Sequence, residues 1–459
     1  MKNEELKEKL CYKRESGYKK QVDLKEINDF CESYKKFLNI AKTERDAVEF
    51  AIAYAEGRGF KEFKRGMTLK TGDKVYANNR NKAVIFAVIG NKGMEDGARI
   101  AAAHIDAPCI HLKQNPVYED SGLCLFKTHY YGGIKKYQWP TIPLELRGVV
   151  ALKNGKTVKI SVGSNPDDPI FTITDLLPHL GKDQMQKSLS EGVPGESLNV
   201  LIGSRPLEGE GDELVKLNIL NILNEQYGIV EEDFLSAELM VVPAFDARDV
   251  GFDRSLIGAY GHDDRVCAYP ALRAIAEGDT PEYTSICILA DKEEIGSEGV
   301  SGMKSAHFDT FMEDLCEMQN ARVRVCYENS TCMSADVAVG FDPNFPEVLD
   351  KRNGALINSG ITLCKYTGSR GKSGASDAAA ELVAHMRNVF DADGVIWQMG
   401  ALGKVDQGGG GTVAMYMAER NISTIDAGVP VLSMHAPFEV VSKLDVYMAY
   451  KATKAFFKN

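Results

Sequence analysis

The chain has 459 residues, 44% of them hydrophobic and 26% charged, and a formal net charge of −11. That length allows two or three domains around a large core, the composition is that of a soluble globular protein, and the acidic balance argues against nucleic acid or an anionic membrane surface as the main partner. No apolar run approaches the roughly 20 residues that span a bilayer, and the charged N-terminus MKNEELKEKLCYKRES has no apolar signal core, so a cytoplasmic protein is expected.

In chain order, residues 1–40 are highly charged and predict surface helix. Thr43 followed by Asp46 resembles a capping box opening a helix over Glu44–Glu56, with Ala47, Val48, Ala51, Ile52 and Ala55 as its apolar stripe and Gly57 as its stop. Val75–Tyr76 and Ala83–Ile89 flank the turn NNRN and predict a hairpin; Arg99–Ala103 predicts a further strand. Residues 111–250 change in texture: β-type runs dominate, Asn154–Gly155 inside LELRGVVALKNGKTVKISVG is a hairpin signal, and PDDP and GEGDE mark loops. This stretch predicts a β-rich insertion between residues 1–110 and 251–459. From 255 onward helix-like segments (Arg265–Glu277, Asp377–Phe390, Thr412–Arg420, Lys443–Phe457) alternate with strand-like ones (Ser285–Ala290, Leu356–Lys365, Val395–Met399, Thr424–Val431). Such alternation argues for an α/β fold of three layers. The ten cysteines form no CxxC pair, which argues against a disulfide framework or a thiolate zinc site.

Ligands of open α/β sheets bind beyond the carboxyl ends of the strands. The polar residues there are His104 and Asp106 after RIAAA, Asp291, Glu293 and Glu294 after SICILA, Asp336 after TCMSA, and His435 after GVPVLSM; Asp263–Asp264 precede a helix. Adjacent carboxylates at the mouth of a buried strand need a cation beside them. Imidazole and carboxylate donors without thiolate suit zinc, with manganese and cobalt as alternatives. The set is larger than one four-coordinate ion needs and is enough for two ions about 3.5–4 Å apart that share a carboxylate. Of Glu293 and Glu294, one is expected to bind metal and the other to act as general base. Asp106, two residues from His104 on the same strand face, can accept the imidazole proton and orient the ring. Each motif taken alone also has a structural reading, such as a satisfied polar pair or a helix cap; their joint occurrence at successive element ends favours a metal site. His111, His129, His179, His262, His307 and His385 have no assigned role.

With AAHIDAP (102–108), GHDDR (261–265), DKEEIGSEG (291–299), SADVA (334–338) and DAGVPVLSMHAPFEVVSKLDVY (426–447) in this order, the sequence resembles the aspartyl aminopeptidase/aminopeptidase I family of co-catalytic zinc exopeptidases. The resemblance implies a phosphorylase/hydrolase-like α/β/α catalytic domain with an inserted β-rich dimerisation domain, and a homododecamer built from dimers. It implies two zinc ions, with His104 and Asp336 on one, Glu294 and His435 on the other and Asp263 bridging; Glu293 is the implied general base and Asp106 the residue orienting His104. Short peptides are the implied substrates. Two departures bear on specificity. YGGIKKYQWPTIPL has Tyr137 where eukaryotic-type members carry a histidine that can reach a neighbouring subunit's site, and Val339 and Asp342 replace histidines after ADxA. An N-terminal preference broader than acidic is therefore expected. Gly409 and Gly410 in DQGGGGTVA can let backbone approach the substrate, or can serve packing. The loop CKYTGSRGKSGASD contains GKS, but Tyr366 stands where a nucleotide phosphate loop needs its first glycine.

Overall fold

The alanine-rich run ending in His104 becomes the middle of a nine-stranded sheet. In the computed structural model, which describes residues 3–459, the strand Ala98–His104 is buried at every position. Its neighbours on both sides, Thr284–Ala290 and Thr331–Ser334, run parallel to it. Side chains alternate between two cores with the period of two that a strand imposes. On one face Ala101, Ala103, Cys287 and Leu289 meet the helices Leu24–Ile40, Glu44–Glu56, His262–Glu277 and Lys443–Lys458. On the other face Ile100, Ala102, Ile286 and Ile288 meet His307–Glu317, Val323–Asn329 and Val413–Glu419. Small alanines in the central strand let both sets of helices approach closely.

A second sheet, wholly antiparallel, has six strands lying within residues 109–243 and its own core around Trp139, Leu144 and Val241. A third, of five strands, joins Leu256–Ala259, Glu439–Ser442 and Pro430–Leu432 to Arg248–Val250 and Ala338–Val339.

Several sequence expectations hold in detail. Thr43 caps Glu44–Glu56 by accepting the Asp46 amide, and Gly57 ends that helix. The hairpin Lys74–Asn79/Ala83–Val88 turns through Arg80 and Asn81, both at positive φ. Others need correction. The charged N-terminal region is not wholly surface: Leu24–Ile40 buries Ile27, Phe30, Cys31, Tyr34, Phe37 and Leu38, a stripe at helical spacing hidden among lysines and glutamates. The strand expected over Leu356–Lys365 is confined to Ile361–Cys364, because Asn358 and Gly360 take positive φ just before it. The run Thr424–Val431 is divided between two sheets, as Ser423–Gly428 and Pro430–Leu432. At the junction Gly428 lies so close to Asp336 that a Cβ would fall 1.6 Å from its carbonyl oxygen. The helix Leu214–Tyr227 was not expected: LVKLNILNILNEQY is apolar around its circumference and shows no single stripe.

Candidate metal centre

Strand register delivers the acidic and imidazole groups to one rim. Ala290 lies beside His104, so the chain beyond it carries Glu293 and Glu294 past the imidazole. Ser334 lies beside Ala102, which brings Asp336 to the other side. From the five-stranded sheet, the strand Leu256–Ala259 leads to Asp263 and Pro430–Leu432 leads to His435.

Asp263 stands between the two histidines. Its Oδ1 is 3.3 Å from His104 Nε2 and its Oδ2 is 3.2 Å from His435 Nε2. Asp336 Oδ1 lies 3.9 Å from His104 Nε2, and Glu294 Oε2 lies 3.7 Å from His435 Nε2. His104, Asp263 and Asp336 form one group whose donor atoms all lie within 4.8 Å of one another; Asp263, Glu294 and His435 form a second, with Asp263 common to both. The Glu293 carboxyl is half-buried and makes no hydrogen bond or ion pair among the described residues, although the charges of His104, Asp106, Asp263 and His435 act on it.

Supporting contacts fix this arrangement. His104 Nδ1 lies 3.0 Å from the Asp106 carbonyl and 3.3 Å from Asp106 Oδ1. The Asp106 carboxylate also accepts the amides of Glu293 and Glu294 and the Tyr131 hydroxyl. Gly133 O accepts the His435 Nδ1 proton at 2.8 Å, which leaves Nε2 free to act as a donor atom. Asp264 Oδ2 accepts the His104 amide. Glu439 accepts the amides of both Asp263 and His435. His435 is itself in the left-handed region, φ 66°, a conformation that needs such support.

The electrostatics are those of a cation site. Burial pushes the Glu294 and Asp336 carboxyls well above the usual range, and the Asp263 charge adds to both; burial also raises Glu293. Asp263 is held low: burial works against its charge, but the imidazoles of His104 and His435 beside its two oxygens outweigh it. Burial likewise opposes charge on His435, yet Asp263 and Glu294 lift it to about 10. Asp263 Oδ1 and Glu294 Oε1 are buried with no hydrogen-bond partner. Orphaned carboxylate oxygens facing paired imidazole nitrogens fit divalent metal ions, and the donor set of nitrogen and oxygen without sulfur suits zinc.

The sequence-derived residues His104, Asp106, Asp263, Glu293, Glu294, Asp336 and His435 therefore meet. Three others do not join them. Tyr137 is exposed on the turn Lys136–Gln138 and makes no hydrogen bond to the cluster among the described residues. Gly409 packs on another loop: a Cβ there would lie 2.3 Å from Ser369 Cα. Gly410 is exposed with open space around it. Sequence reasoning passed over Tyr131, Gly133 and Glu439. Glu439 was legible in principle, as an acidic residue in an apolar strand (EVVS) four residues from His435.

A family model described as aminopeptidase I zinc metalloprotease (M18) matches residues 37–457. A probable M18 family aminopeptidase 1 of Clostridium acetobutylicum is 47% identical over 468 residues and spans 100% of both chains. The crystal structure of an M18-family aminopeptidase from Thermotoga maritima superposes with a TM-score of 0.94 at 44% identity, covering 97% of this chain and 99% of that one. The solved mApe1 dodecamer of S. cerevisiae shares the fold, with a TM-score of 0.76 at 21% identity over 94% of this chain and 97% of that one.

Proposed function

Because the chain belongs to the M18 family of aminopeptidase I zinc metalloproteases, and is thus a zinc metalloaminopeptidase that hydrolyses peptide bonds, we propose that it removes N-terminal residues from short peptides at a centre for two divalent ions. His104 and Asp336 hold one ion, Glu294 and His435 the other, and Asp263 is shared. Zinc is the proposed metal; cobalt or manganese suits the same donors. When bound, such ions polarise the scissile carbonyl and acidify water. Glu293 takes the proton of the attacking water and hands it to the departing amine nitrogen; its carboxyl, free of any other partner among the described residues, is available for that task. Asp106 orients the His104 ring from behind.

The observation that carries this reading is Asp263, whose two carboxylate oxygens face two different imidazoles. The paired helix-bearing faces of the nine-stranded sheet support a three-layer α/β/α, phosphorylase/hydrolase-like catalytic domain made of residues 1–110 and 251–459. The separate core of the six-stranded sheet supports an inserted β-rich dimerisation or lid domain over 111–250. Exposed leucines in that region, together with the S. cerevisiae dodecamer, support a homododecamer built from dimers. Tyr137, Val339 and Asp342, standing where relatives of the resembled family carry histidines, favour a preference broader than acidic. The proposed site of action is the cytoplasm; no helix among the described residues is long and apolar enough to cross a membrane.

The test is removal of metal with a chelator, followed by titration with zinc while hydrolysis of aminoacyl-anilides and short peptides is followed. Activity should return with the second equivalent per subunit, and Asp263→Asn should lower the affinity of both. Full activity at one equivalent would overturn the two-ion centre.

A further inference from the structure

The strand Leu123–Tyr131 leaves the six-stranded sheet and runs directly into the ligand cluster. Of the three consecutive residues at its end, Gly132 and Gly133 touch one ligand group directly, and Tyr131 reaches the other through Asp106. Tyr131 donates its hydroxyl to Asp106 Oδ2 at 2.7 Å, and Asp106 in turn holds His104 Nδ1 and the amides of Glu293 and Glu294. Gly132, at φ +74°, lies against Glu294: a Cβ at Gly132 would sit 3.3 Å from that of Glu294. Gly133 accepts the His435 Nδ1 proton at 2.8 Å, and a Cβ on it would stand 3.3 Å from the same nitrogen. The Tyr131 ring is held in turn by stacking on His111, with centroids 4.7 Å apart and planes 14° from parallel. Neither contact of the segment resembles incidental packing. Gly133 fixes the His435 nitrogen that faces away from the ligand group, and Tyr131 fixes the Asp106 carboxylate that does the same for His104; such partners set the tautomer and direction of the opposite nitrogen.

We infer that Tyr131–Gly133 is a positioning segment through which the six-stranded sheet holds both metal-ligand histidines: Tyr131 acts on His104 through Asp106, and Gly133 acts on His435 directly. Tyr131 is not a catalytic residue, since its hydroxyl is engaged by Asp106. The inference rests on His104 and His435 being metal ligands. It makes the six-stranded sheet a structural part of the catalytic centre, so that a shift of that sheet relative to the nine-stranded one would be felt at both metal positions.

The experiment uses the full chain and zinc, with competition from a chromophoric chelator reporting each binding event. Tyr131→Phe keeps the ring and its stack on His111 and removes only the hydroxyl. It should weaken one of the two zinc-binding events by about 10- to 100-fold, the usual effect of losing an outer-shell partner. It should lower kcat while KM stays unchanged. Gly133→Ala should weaken the other event, and His104→Ala should abolish the event that Tyr131→Phe weakens. If His104→Ala loses one zinc-binding event while Tyr131→Phe and Gly133→Ala bind zinc as the wild type does, the positioning role is wrong and the ligand assignment stands. If His104→Ala itself binds both ions normally, the ligand assignment falls and this inference with it.

Discussion

Glu439 and Asp263 are joined by a hydrogen bond of 3.0 Å, from the Asp263 backbone amide to Glu439 Oε2. The other oxygen of the same carboxylate takes the His435 amide at 2.7 Å. One fully buried side chain thus sets the distance between the shared ligand and a ligand unique to one group. The two N–H donors face different oxygens of this side chain, so a carboxamide would set its NH2 against one of them. Glu439→Gln should leave one buried amide unpaired and lower the stability of the metal-free protein by about 1–3 kcal/mol. It should also weaken zinc retention. Urea unfolding in the presence of chelator measures the first effect and chelator competition the second. A variant as stable and as zinc-avid as the wild type would show that the spacing is set elsewhere.

Glu293 and Glu294 are adjacent but are held differently. Glu294 lies 3.7 Å from His435 Nε2, whereas Glu293 has no partner for its carboxylate among the described residues. Glu293→Gln preserves shape and removes the ability to take a proton. The expected result is a fall in kcat of about 10²- to 10⁴-fold, the usual contribution of a general base, with KM and bound zinc unchanged. A similar fall accompanied by loss of zinc would make Glu293 a ligand instead.

How much of this was legible in the residues follows from what sequence periodicity can record. Most of the ligands stood out because they follow apolar strands, where a charge is conspicuous: RIAAAH, SICILADKEE, TCMSAD; Asp263 instead stands at a helix start. The Glu44–Glu56 helix was legible to the residue because Thr43 and Asp46 form a local cap. Long-range supports were not. Tyr131 ends an ordinary β-run, and nothing in that run says that its hydroxyl will meet Asp106, which lies 25 positions earlier in the chain. Leu24–Ile40 hid its buried stripe among charges, and Leu214–Tyr227 gave no stripe at all, since its leucines and isoleucines surround the helix. The break at Gly428 depends on the approach of a distant backbone, which only the folded chain reveals.

Glu44 offers a pH-dependent test away from the ligands. It opens the helix Glu44–Glu56 and is buried; burial and the charge of Asp291 push its carboxyl up to about 7, despite Lys82 at 3.7 Å and the nearby charge of Arg45. Unfolded, the same group loses its proton near 4.5. Between those values the folded chain binds more protons than the unfolded one, so this group makes stability fall as pH rises from about 4.5 to 7 and adds no slope above that. At about 1.4 kcal/mol per pH unit the whole effect is at most about 3.5 kcal/mol. Glu44→Gln should flatten that part of the profile in urea unfolding at pH 5 to 8 with chelator present. Superimposable profiles for the two proteins would show that Glu44 is ionised throughout in the fold.

The segment 176–189 leaves Leu176, Leu177, Leu180, Met185 and Leu189 between 50% and 72% exposed. The helix Leu214–Tyr227 buries only Val215 fully, although it is apolar on every side. Apolar surface of this kind on an isolated subunit marks an association site, and a helix apolar all round is normally enclosed. Charge introduced there should disrupt assembly without touching the ligands. Leu180→Glu combined with Leu189→Glu is expected to shift sedimentation from a large assembly to a smaller species, with zinc content per subunit unchanged. Retention of the full assembly would exclude this segment as a contact. A wild-type chain that sediments as a monomer at micromolar concentration would remove the dodecamer altogether, and the apolar segment would then have to cover a face of its own subunit.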